Sequence, residues 1–192
     1  MADIPSRLDG ATNVLLEEPP IGAGRESCTS LLVDGAAEPN VVFVTFTRQA
    51  RECVDQLDGA AGDIGVITVG DSPSLDDESV TTDSVSTPSD LTGLGIGVSR
   101  FLSEFDGPLF LCFDSLTAML QYVDLKTAYE FLHAITGQIY AADAHAHFHI
   151  DPSAHPDSDV AALTSLFDAR VSLAGDDREV QTRDLIEPPE PS

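Results

Sequence analysis

Apolar runs of strand length alternate with helical stripes from Asn13 to Leu173, a pattern that suits a parallel sheet covered by helices on both faces. The runs are Asn13–Leu16, Val41–Phe46, Ile64–Val69, Leu109–Phe113, Ala144–Ile150 and Arg170–Leu173. Between them, Gln49–Leu57 places Ala50, Cys53, Val54 and Leu57 at helical spacing, and Leu91–Phe105 follows a capping Asp90. Leu125–Ala142 is the longest helix, with Leu125, Ala128, Tyr129, Leu132, Ile135 and Ile139 along one face behind Asp124. A short helix over Val160–Phe167 is preceded by Asp157 and Asp159 at its positively polarised end. The expected fold class is α/β, a three-layer sandwich around a mostly parallel sheet.

One domain over residues 1–173 accounts for these elements, and 192 residues suffice for a real core. Gly70–Asp90 is rich in Ser, Thr, Asp and Pro and reads as a long acidic surface loop. Residues 174–192 read as a turn, an edge strand near Arg178–Leu185 and a disordered acidic end. The net charge is −24, from 33 acidic against nine basic residues, with Lys126 the sole lysine. Such a surface repels nucleic acid and anionic lipid, so direct contact with either is not expected. It suits a high-salt cytoplasm, where ions screen the self-repulsion. Cys28, Cys53 and Cys112 are far apart and lack CxxC spacing, as buried thiols of a reducing compartment do. No apolar run is long enough to span a membrane, and MADIPSRLDG has no signal core, so a soluble cytoplasmic protein is expected.

The first strand leads through a Gly-rich turn into a helix, NVLLEEPPIGAGRESCTSLL, in the arrangement of a phosphate-binding loop. Aligned on Gly24, Pro19 stands at the first glycine, Arg25 at the lysine and Glu26 at the Mg²⁺-binding hydroxyl, while Ser27 comes one position late. Pro19 fixes a backbone that glycine would leave free, and Glu26 puts negative charge where phosphate and metal would sit. Gly22, Gly24, Arg25, Glu26 and Ser27 remain the candidate nucleotide contacts, together with Asp114 at the end of an apolar strand. A carboxylate in the position of Asp114, at the end of a central strand, often caps the following turn.

In order and spacing, four segments resemble a compact RecA-like core, nearest the single-domain archaeal relatives of the KaiC ATPases. They are PPIGAGRES, VVFVTFTRQARECVDQL, GPLFLCFDSLTAML and AHAHFHIDPSAHPDSDVAALTSLFDARVSL. The resemblance implies a RecA-like P-loop sheet, with Asp114 at the end of the metal-directing strand. It also puts Thr47 and Arg48 where the family carries a water-activating glutamate. With that glutamate, the loop lysine and the hydroxyl all replaced, ATP hydrolysis is not expected.

All five histidines lie between His133 and His155, and His145, His147 and His149 alternate along one strand, so they share a face. Flanking histidines four residues apart cannot both reach one ion without a bend, so an HxH pair plus a ligand from elsewhere is the easier metal geometry. Three functions follow as expectations. The leading one is a non-catalytic RecA/KaiC-like domain that regulates or scaffolds through a protein partner or self-association in a halophilic cytoplasm. The second is an ATP or ADP switch with Mg²⁺. The third is a metal-binding protein using His145, His147 and His149.

Overall fold

The computed structural model describes residues 4–8, 10–19, 24–174 and 178–183. A short helix, α1 (Ile4–Arg7), precedes β1 (Asn13–Glu17), α2 (Gly24–Val33), β2 (Asn40–Thr45), α3 (Ala50–Gln56), β3 (Ile64–Val69) and β4 (Val80–Val85). The chain continues through α4 (Leu91–Glu104), β5 (Leu109–Asp114), α5 (Leu116–Met119), α6 (Leu125–Ala141), β6 (His145–Ile150), α7 (Asp157–Thr164), β7 (Ala169–Ser172) and β8 (Glu179–Thr182). The strands form one sheet in the order β4-β3-β2-β5-β6-β1-β7-β8. Every adjacent pair runs parallel except β7 and β8, which pair antiparallel.

The central strands are buried on both faces, which is why they read as continuous apolar runs. On one face Phe113, Phe148, Leu132, Ile135 and Phe101 pack in a large core beneath α4 and α6. The other face carries two smaller clusters, one around Phe43, Leu32 and Leu57 and one around Val14, Leu16 and Val171. Helix α2 lies on that second face, burying Gly24, Ser27, Cys28, Leu31 and Leu32 at helical spacing. The expected caps form: Asp90 accepts from the Gly93 N–H and Asp124 from the Thr127 N–H.

Three expectations are corrected. Val80–Val85 inside the expected loop is the edge strand β4, pairing with all of β3. Only its end residues Val80 and Val85 are buried, and Asp83 faces Arg100 at 3.4 Å, so its polar middle hides the strand pattern. Helix α7 begins at Asp157, so Asp157 and Asp159 form its first turn instead of preceding it. In the tail, β8 covers Glu179–Thr182, short of the expected Leu185, and 184–192 lie outside the described residues.

Candidate functional site

The carboxyl ends of β1, β5 and β6 meet the amino end of α2, the usual place for a ligand in an open parallel sheet. Adjacent strands place Cys112 of β5 directly beside His147 of β6, and Leu16 of β1 beside His149. Because side chains alternate, Cys112 and Asp114 share one face with His147 and His149. Cys28, on the inner stripe of α2, closes over them.

The result is a sulfur and imidazole cluster in the interior. Cys28 Sγ lies 3.5 Å from Cys112 Sγ and 3.1 Å from His147 Nε2, and Cys112 Sγ lies 3.3 Å from His149 Nε2. None of the four residues is more than 4% exposed. Outside them, His149 Nδ1 donates to Glu18 Oε1 at 2.8 Å and Gln56 Nε2 donates to Cys28 Sγ at 3.3 Å. The hydrogen bond from Cys112, reinforced by the charges of His147 and His149, holds the Cys28 thiol well below its ordinary range. Burial pushes Cys112 well up, and the neighbouring Cys28 sulfur adds to it. Burial alone would lower His149, but Cys28, Glu18 and Asp114 outweigh it and hold the imidazolium well above the usual value. Cys53 stands apart, pushed up to about 11 chiefly by burial.

Above the cluster is a cleft of about 210 Å³ bounded by Glu18, Gly24, Arg25, Arg48, Asp114 and His149, among others. Arg48 reaches Asp114 at 3.9 Å, and both side chains are only 18% exposed. Burial raises the Asp114 carboxyl, with His149 and Arg48 pulling it back. The Glu18 carboxylate occupies the space that a β-carbon on Gly24 would fill, at the start of α2. Ser115 caps α5 by accepting from the Ala118 N–H. The peptide between Asp114 and Ser115 is cis.

The sequence candidates separate in space. Gly24, Arg25 and Asp114 border the cleft. Glu26 turns outward to Arg178 at 3.5 Å, and Ser27 is fully buried with its hydroxyl unpartnered, so neither borders it. Gly22 lies outside the described residues. The histidine triplet is corrected to a pair: His147 and His149 converge, whereas His145 stacks on Phe110 and meets the Ala11 carbonyl at 3.3 Å. Cys28 and Cys112 were expected only as buried thiols. Their signal was parity, since Cys112 lies two residues before Asp114 and Cys28 follows Gly24 by one helical turn.

The model of a family of unknown function, DUF7504, matches residues 11–173. A protein of Pyrococcus horikoshii OT3, structural project PH0250, has a TM-score of 0.61 at 14% identity, over 90% of this chain and 86% of its own. The KaiC-like protein PH0186 of the same organism gives 0.56 at 15% identity, over 90% and 79%. The flagellar accessory protein FlaH of Methanocaldococcus jannaschii gives 0.51 at 11%, over 93% and 81%. No curated protein matches the chain. At such identities the likeness shows the fold, a RecA/KaiC-like α/β domain. Among the described residues, no helix is long and apolar enough to cross a membrane.

Proposed function

The chain belongs to the DUF7504 family, and we propose that it is a non-catalytic RecA/KaiC-like domain with a degenerate phosphate loop, regulating or scaffolding through its surfaces. The observation that carries this reading is the occupancy of the cleft by the chain's own charges. Glu18 stands against Gly24 where a phosphate would approach the start of α2, and Arg48 engages the Asp114 carboxylate that would otherwise face Mg²⁺. A carboxylate there repels phosphate oxygens, and an arginine on Asp114 competes with a divalent ion. Arg48 also stands where a water-activating base is expected, and a guanidinium cannot accept a proton. The cytoplasm is taken to be rich in salt, and the target is a protein partner or a second copy.

Thermal unfolding in molar KCl, with and without millimolar Mg-ATP or Mg-ADP, tests this. The midpoint is expected not to move. A ligand at a hundredfold excess over its Kd would add about 2.7 kcal/mol, raising the midpoint by roughly 5–10 °C for a chain of this size. A nucleotide-specific rise of that order, abolished by Arg25→Ala, would overturn the reading in favour of an ATP or ADP switch. Without nucleotide, the midpoint is expected to climb between 0.1 and 2 M KCl, because the screening length falls from about 10 Å to under about 3 Å. A flat or falling midpoint would remove the halophilic part of the proposal.

A further inference from the structure

We propose that Cys28, Cys112, His147 and His149 form a closed tetrahedral site for a Zn²⁺ ion that fastens the start of α2 to β5 and β6. The four ligand atoms, Sγ of the cysteines and a ring nitrogen of each histidine, all lie within 4.8 Å of one another, and all four residues are buried. Zinc bonds of about 2.3 Å to sulfur and about 2.0–2.1 Å to nitrogen imply tetrahedral edges of about 3.8 Å between sulfurs and about 3.6 Å between sulfur and nitrogen. The measured edges of 3.5, 3.1 and 3.3 Å fall within about half an ångström of these.

The donor set fits the ion chemically. Two thiolates and two neutral imidazoles balance the charge of a divalent ion, so the loaded site is neutral in a low-dielectric interior. The surroundings have the form that metal ligands need. In the loaded site Glu18 accepts the Nδ1–H of a neutral His149, so that Nε2 turns its lone pair toward the metal, and Gln56 donates an N–H toward the Cys28 sulfur. Four protein ligands leave no position for water or substrate, so the ion is structural, not catalytic. It lies beneath the start of α2, where no nucleotide would be needed to hold helix and sheet together. This assignment does not depend on whether the cleft binds nucleotide.

The test uses the full chain, without a polyhistidine tag, purified under reducing conditions in molar KCl from cells supplied with zinc. Elemental analysis is expected to give one zinc per chain. It should fall below about a tenth in a Cys112→Ser variant and in a His147→Ala variant, and stay at one in Cys53→Ser and His145→Ala. Cobalt exchanged into the wild type is expected to show tetrahedral visible bands and thiolate-to-cobalt charge transfer, a readout that does not require the ligand variants to fold. Adding zinc to chelator-stripped protein should raise the melting midpoint by on the order of 10 °C. The proposal is overturned by a wild type that carries no metal and gives no cobalt spectrum. It is equally overturned by a Cys28–Cys112 disulfide that persists in place of the metal, or by zinc lost as readily in His145→Ala as in His147→Ala.

Discussion

Replacing Phe113 by alanine is expected to remove about 3–5 kcal/mol of stability, a large part of what a domain of this size possesses. Phe113 is fully buried on β5, between Cys112 and Asp114, and its ring points away from the cluster into the larger core. There it stacks on Phe148 at 5.3 Å and meets Phe46 at 5.7 Å and Phe131 at 6.3 Å. The truncation removes the ring's transfer energy, leaves a cavity between rigid strands, and loses aromatic contacts worth about 0.5–1.5 kcal/mol each. Phe113→Leu, which keeps most of the volume, should cost much less, about 1.5 kcal/mol. Urea unfolding in constant molar KCl measures both, since urea leaves charge screening unchanged. A loss below about 1 kcal/mol for the alanine variant would show that this core yields around the cavity instead of holding its shape.

The same strand shows what could be read in the sequence and what could not. LFLCFD is legible as a strand because both of its faces are buried, and Ile64–Val69 is legible for the same reason. The edge strand VTTDSV escapes that logic, because its middle faces solvent and an acidic residue there is compatible with strand or loop. For the candidate site, the shared face of His147 and His149 follows from a period of two, and the position of Asp114 follows from the end of an apolar run. The convergence of four ligand atoms does not follow. It needs β5 beside β6 in a register that sets Cys112 against His147, and it needs α2 returning over both. Residues 84 and 119 positions apart in the chain meet only through that topology. Glu18 is similar: as one of two acidic residues before a proline pair it looks like loop, and only the turn toward His149 gives it a role.

Gly65 is the second position where a small change should have a large effect. It sits in β3 opposite Val42 of β2 and Thr81 of β4, in a strand whose other residues are chiefly β-branched. A β-carbon added there would lie 2.5 Å from Cε1 and 2.8 Å from Cδ1 of Phe101, far inside the usual carbon contact of about 3.5–4.0 Å. Phe101 cannot easily retreat, because it is fully buried on α4 and packs against Phe105 at 5.3 Å. Gly65→Ala is therefore expected to destabilise by about 1–3 kcal/mol, although alanine normally suits a strand better than glycine does. The cause can be isolated by a double-mutant cycle with Phe101→Leu, which removes the ring edge that clashes. Gly65→Ala should then cost little, giving a favourable coupling of about 1 kcal/mol or more between the two sites. Simple additivity of the two losses would mean that the glycine is required by the backbone of β3 and not by the ring of α4.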